Sequence, residues 1–302
     1  MEAGGICLRS RIRENLIRVV LTVVAFSSLV FLVGIVLVLF REGLPIFQKT
    51  GLAHFIFGRD WYPTYDPPSF GTLPLMAASF LVTVGAMVIA IPIGVASAIT
   101  ISQILPGRVR GIVKPVVELL AGVPSVVYGL FGMQILAPLV MNVFGLPTGL
   151  TALTASIILG IMALPTVVSI AEDALSAVPG TYREASYALG ATRWETISRV
   201  LVPAASSGIV TASLLGMGRA IGETMTVLMV AGGAAVVPTS FLQPVRPMTA
   251  TIAAEMGEAP VGGSHYHALF AIAIVLFVVT LAFNMVADGF TRRFQRKVAG
   301  GR

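Results

Sequence analysis

Six runs of apolar residues divide the chain, at 17–40, 73–102, 116–140, 150–171, 204–231 and 268–287, with polar stretches between them. Each is long enough for the roughly 20 residues that an α-helix needs to cross a hydrocarbon core. The pattern predicts an all-α, polytopic membrane protein with six transmembrane helices. The run at 73–102 exceeds the requirement, which predicts a helix that tilts or protrudes. Three sections follow: 1–71, with an N-terminal segment, the first helix and a first outer loop; 72–290, a core of five helices interrupted by a polar loop at 172–203; and 291–302, a basic tail.

Within that polar loop the periodicity changes. Tyr182, Ala185 and Leu189 fall three and four apart, so they share one face of a short helix. Gly190 permits a turn, and Trp194, Ile197 and Leu201 form a second short face beyond it. Two amphipathic helices joined at a glycine corner make a knob, and a knob requires a socket on another surface.

Composition agrees with the hydropathy pattern. Hydrophobic residues make up 56% of the 302 and charged residues 11%, against about 25% charged in a typical soluble domain. The mean hydropathy is +0.91. Placing the N-terminus inside puts 15 of the 20 Lys and Arg residues on inside segments, including Arg108, Arg110, Lys114, Arg183, Arg193 and Arg199. The positive-inside rule therefore predicts both termini and the 172–203 loop on the cytoplasmic side. The net charge of +6 is then a consequence of topology and calls for no nucleic-acid partner. The arginines ahead of the first run look like the start of a signal peptide. That run is too long for one, however, and no A-x-A-like site follows, which predicts a retained helix. Cys7, the single cysteine, precedes the run and is assigned no role.

The first outer loop interleaves Phe55, Phe57, Trp61, Tyr62 and Tyr65 with Pro63, Pro67 and Pro68. It reads equally as an interfacial anchor or as a docking surface. In the third run, Gly122-Val123-Pro124-Ser125-Val126-Val127-Tyr128-Gly129-Leu130-Phe131-Gly132 reads as a kinked segment, lining a pathway through Ser125 and Tyr128 or serving close packing alone. In the fifth run, Arg219 and Glu223 are four apart and so predicted on one helical face, with Gly216, Gly218 and Gly222 thinning the helix around them. Counting from Ala204, Arg219 lies roughly 22 Å along the helix, past the middle of a core about 30 Å thick. An arginine there costs on the order of 2.5–3.5 kcal/mol to insert, and charges at that depth mark transport pathways by default.

Residues 249–258, between Pro247 and Pro260, are predicted as a short outer or re-entrant helix, and His265 and His267 as loop residues rather than metal ligands. No phosphate-binding G-x-x-x-x-G-K-[ST] loop, H-E-x-x-H or G-x-S-x-G motif occurs, so the chain is read as a non-enzyme without cofactor or metal of its own. An ion-coupled secondary transporter would also bury charge, but internal inverted repeats would be expected of it, and none is evident.

The loop carries a spacing that resembles a known family. Glu184-Ala185-Ser186, three residues, Gly190, nine residues and Val200-Leu201-Val202-Pro203 are similar to the E-A-A, Gly and I-x-L-P signature of bacterial ABC importer permeases. Ser186 replaces the second Ala, Val200 the Ile and Val202 the Leu. The resemblance implies that Glu184, Ala185, Gly190 and Pro203 belong to a coupling loop that docks on a separate ATPase. Arg41-Glu42-Gly43-Leu44-Pro45, the 124–132 segment, Gly218-Arg219-Ala220-Ile221-Gly222-Glu223-Thr224 and Thr249 to Glu258 further resemble phosphate importer permeases of the PstC type, over about residues 13–288. That likeness implies a type I ABC importer permease fold in the bacterial cytoplasmic membrane. It also implies a homologous second permease (PstA type), an ATPase dimer (PstB type) that binds ATP and Mg, and an extracytoplasmic phosphate-binding protein (PstS type). Arg219 would meet the anion, with Glu223 holding the arginine between substrates. The alternative substrates are other oxyanions, sulfate or molybdate.

Overall fold

The computed structural model describes residues 3–299, with side chains described for 14–286 and 289. Cys7, Arg9, Arg11, Arg13 and the cations of the 291–302 tail lie outside the described side chains. Among the described residues the fold is helical apart from a hairpin of two short strands, β1 (Trp61–Tyr62) and β2 (Ser69–Phe70), with Trp61 paired to Phe70. The helices are α1 (Ala3–Thr50), α2 (Leu52–Phe57), α3 (Leu73–Ile104), α4 (Gly107–Ala121), α5 (Ser125–Phe144) and α6 (Ala152–Ser176). They continue as α7 (Gly180–Ala188), α8 (Arg193–Ala204), α9 (Ser206–Ile221), α10 (Met225–Val230), α11 (Met248–Glu255) and α12 (Ser264–Ala299).

Among the described residues five helices are long and apolar enough to cross a membrane: α1, α3, α5, α6 and α12; α8 and α9, bent by 68° at Ala205, complete a sixth span if they are taken together. The apolar pattern is thus correct in number and corrected in detail. The third run does not start at 116. Gly122-Val123-Pro124 breaks it, so α4 ends at Ala121 as a separate surface helix and the span begins at Ser125. The fifth run is broken as well, since Gly222, Glu223 and Thr224 separate α9 from α10. The first run continues through Arg41 and Lys49 to Thr50 with Pro45 inside the helix, so those cations are helical rather than part of a loop. At 48 residues, α1 is about 70 Å long, more than twice the hydrocarbon core.

Small side chains hold the centre together. Ala78, Ala86 and Ala90 of α3 meet Ala155, Leu159, Met162 and Ala163 of α6, with Ala220 of α9 and Val227 and Val230 of α10 closing the cluster. Apolar surface gains little by leaving lipid, so close backbone approach and van der Waals contact carry this packing. A second cluster, at one end of the bundle, joins Ile46 of α1, Phe55, Trp61, Phe70, Leu75, Met248, Leu269 and Ile272. At the opposite end Ala98, Ala171, Leu175, Ala205 and Ala212 pack together beneath the 172–203 loop.

Candidate functional site

The two helix breaks lie against each other, and the four residues expected along a pathway gather there. The Tyr128 hydroxyl donates to the carbonyl of Leu120 at 2.9 Å, bridging the gap between α4 and α5. The Ser125 carbonyl accepts from Thr226 Oγ1 at 3.0 Å, joining the start of α5 to α10. Close approach here depends on α5 glycines: a Cβ on Gly129 would lie 2.6 Å from Met229 Sδ, and one on Gly132 2.8 Å from Val230 Cγ1.

Arg219 and Glu223 do not pair, contrary to the spacing argument, because the helix ends between them. Arg219, on the last turn of α9, donates from Nη1 to Thr166 Oγ1 at 3.1 Å and from Nη2 to the Ala121 carbonyl at 3.1 Å. The Ala121 carbonyl ends α4, so the guanidinium sits at the negative end of a helix dipole. Glu223 faces the other way. Its Oε1 accepts from the Thr226 amide at 3.2 Å, lies 3.2 Å from the Thr226 hydroxyl, and so covers the exposed amides at the start of α10. Its own carbonyl accepts from Thr249 Oγ1 of α11 at 2.8 Å. Thr166, Thr226 and Thr249 are hydrogen-bonding partners that sequence reasoning missed; for Thr166 and Thr226, threonines inside apolar runs, where a hydroxyl needs a partner, were the available signal.

The residues expected to form a coupling loop fold as two short helices around a glycine corner. Gly190 has φ +81°, a left-handed conformation that disfavours any residue with a Cβ. Thr192 then caps α8 in a reciprocal arrangement with Glu195. Inside the knob, Ser186 and Thr196 hydroxyls hydrogen-bond at 2.9 Å, so serine at the motif's second alanine position is a buried polar contact. Glu184, Ala185 and Pro203 are exposed on this knob, and Leu189 and Trp194 are 90% and 66% exposed. Among the described residues that surface has no socket.

The loop begins later than the sequence pattern indicates. α6 runs to Ser176, so Glu172 is helical and 1% exposed. Arg110 and Lys114 of α4 both reach it: Arg110 bonds Oε1, and Lys114 Nζ lies 2.7 Å from Oε2. Lys114 also bonds Asp173, and its hydrogen bonds to Asp173 and then Glu172 hold its ammonium above the usual lysine value.

At the other end, Glu255 of α11 accepts from Trp61 Nε1 at 3.1 Å, lies 2.9 Å from His265 Nε2 and bonds Arg246. With Tyr62, Gly233, Ala254 and Glu258, these residues border a cavity of about 630 Å³. The predicted short helix after Pro247 is therefore present as α11. His265 and His267 are corrected from loop to the first turn of α12, where a ring nitrogen of His267 lies 2.7 Å from the Glu42 carbonyl. Among the described residues no group of acidic, histidine or cysteine side chains is arranged to hold a metal.

Comparison with known proteins agrees with this architecture. Residues 90–300 match the family described as binding-protein-dependent transport system inner membrane component. A probable ABC transporter permease protein, YqgH of Bacillus subtilis, is 39% identical over 89% of this chain and 88% of its own length. The phosphate transport system permease protein PstC of Mesorhizobium japonicum is 34% identical over 87% and 85% respectively. A chain of a bacterial alginate ABC transporter superposes with TM-score 0.67 at 16% identity, covering 93% of this chain and 95% of that one. A chain of the MetNI methionine ABC transporter gives 0.55 at 20% identity, covering 74% and 94%. With its broken helices, its glycine-cornered loop and these relatives, the chain belongs to the binding-protein-dependent transport system inner membrane components and is a multi-pass permease subunit of the ABC importer fold.

Proposed function

We propose that the chain is the permease subunit of an ATP-driven phosphate importer, passing inorganic phosphate from an extracytoplasmic binding protein to the cytoplasm. The observation that carries this reading is Arg219. Its guanidinium lies between two helix breaks and is held by a carbonyl and a hydroxyl. No ion pair to a carboxylate is found for it among the described residues. An oxyanion is the missing counter-charge, and a guanidinium binds paired phosphate oxygens bidentately. Relatives named as phosphate transport permeases support phosphate over sulfate or molybdate.

The same reading places both termini and the 172–203 loop on the cytoplasmic side. The exposed knob docks on an ATPase dimer that binds ATP and Mg, a second permease completes the pathway, and the binding protein delivers phosphate at the end that carries Trp61 and Glu255. Ser125 and Tyr128 shape the pathway wall by tying α5 to its neighbours rather than by charge. Reconstitution of the four-component complex in vesicles tests the proposal. Uptake of labelled phosphate should be blocked by vanadate and competed by arsenate but not by sulfate. Sulfate competition equal to arsenate's would overturn the substrate, and vanadate-insensitive uptake would overturn the energy source.

A further inference from the structure

Arg183 of α7 bonds the Gln103 side-chain oxygen, and Arg193 Nη2 donates to the Gln103 carbonyl at 2.5 Å and to the Ile104 carbonyl at 3.4 Å. Gln103 and Ile104 form the last turn of α3, which is π-helical from Thr100 onward. Two arginines of the coupling loop thus clamp the end of a transmembrane helix, where carbonyls lack intrahelical partners. α4 then starts at Gly107, after Leu105 and Pro106 in extended conformation. It has no buried residue, and it ends at the carbonyl that holds Arg219. Between its ends, Arg110 and Lys114 fasten it to Glu172 of α6.

We propose that α4 is a lever that connects the coupling loop to Arg219. The Arg183–Arg193 clamp on Gln103 and Ile104 is its input, the Glu172 ion cluster its pivot, and the Ala121 carbonyl its output. Three observations converge on this assignment. The helix has no buried residue, so it moves without opening the core. Both of its ends are breaks, at 105–106 and 122–124, where dihedral changes are absorbed. Its polar attachments to other helices lie at the Glu172 cluster and at its C-terminal end, where the Leu120 carbonyl accepts from Tyr128 and the Ala121 carbonyl from Arg219. Displacement of the knob by the ATPase shifts the input end, and the opposite end withdraws its carbonyl from Arg219. The guanidinium loses one neutral partner and gains capacity for an anion. Arg183, Arg193 and Gln103 are positioning residues in this scheme. The inference rests on the ATPase-coupling reading but not on phosphate being the substrate.

The test is a distance measurement in the assembled complex with its ATPase, in lipid discs without phosphate. In a Cys7→Ser background, nitroxide labels at Leu119→Cys on α4 and Ile161→Cys on α6 report the output end. The distance distribution should shift between the nucleotide-free and vanadate-trapped states. Arg193→Gln with Gln103→Leu should abolish that shift while ATP is still hydrolysed, and the phosphate carried per ATP should fall at least tenfold. Arg193→Lys, which can still donate to the two carbonyls, should restore the shift. If the double variant assembles poorly, Arg193→Gln alone serves, since it removes both main-chain contacts and leaves Arg183 on Gln103. No shift in the parent complex, or a full shift after the clamp is cut, would overturn the lever. Failure of phosphate specificity would leave this distance result unchanged.

Discussion

A lone arginine at membrane depth needs an electrostatic partner, and here that partner is the end of a helix. The Ala121 carbonyl closes α4, and Nη2 of Arg219 reaches it at 3.1 Å. Hydrogen bonds of this charged kind contribute about 1.5–3 kcal/mol each, enough to offset an insertion cost of similar size. Glu223 contributes nothing to it directly, because its carboxylate is engaged with Thr226. Removing both charges in Arg219→Gln plus Glu223→Gln should therefore rescue nothing. Uptake should be lost to the same extent as in Arg219→Gln alone, and the two stability changes should add within about 0.5 kcal/mol. Substantial uptake by the double variant would restore the simple ion pair. Glu172 makes a contrasting case, since it is buried and its partners are cations. Glu172→Gln should destabilise the protein by about 1–3 kcal/mol, measured by thermal unfolding in detergent. Lys114, held above the usual 10.5 by Asp173 and then Glu172, contributes stability that is complete below that value. The contribution disappears only as pH rises through the elevated one, so Lys114→Met should remove an alkaline loss of stability and leave neutral pH behaviour flat.

Between residue and molecule, the elements divide into those that length and periodicity reveal and those that they conceal. Gly190 was legible as a corner, and its φ of +81° gives the reason. Gly190→Val places a branched side chain in a left-handed conformation at a cost of about 1–2 kcal/mol. Open space surrounds the position, so the strain falls on the main chain and the knob changes shape. Transport and ATPase association should both be lost while membrane insertion, read by fractionation, stays normal; normal uptake would refute the coupling role of the loop. The apolar runs predicted six spans because twenty consecutive nonpolar residues have few other uses. The same runs concealed the second break and showed the first only as a kink. Gly122 to Pro124 and Gly222 to Thr224 have apolar residues on both sides, and membrane helices tolerate glycine and proline where neighbours satisfy the freed backbone. Tyr128 and Thr226 do so here; the Thr226–Ser125 contact joins residues far apart in the chain and has no signature in spacing. Glu172 escaped notice for a related reason: a carboxylate at a loop border looks solvated until α4 folds two cations onto it.

For the molecule as a whole, orientation is the property most open to direct test. Thr192→Cys on the knob should resist an impermeant thiol reagent in intact cells, and Lys49→Cys at the end of α1 should react. Labelling of Thr192→Cys from outside would invert the arrangement. Apolar residues of α1 from Leu16 to Val38 are exposed, including Phe31 and Ile35, and lipid or the second permease must cover them. The sequence contains two tryptophans, and the fold assigns one to each end. Trp61 is 2% exposed, with its indole N–H on Glu255, whereas Trp194 stands 66% exposed on the coupling knob. The protein thus carries its own pair of optical reporters. Trp61 should emit at short wavelength and be shielded from iodide, and Trp194 should emit further to the red and be quenched. Burial of the knob in an ATPase would turn the second signal blue without altering the first, and Trp194→Phe would leave the outer end to be watched alone.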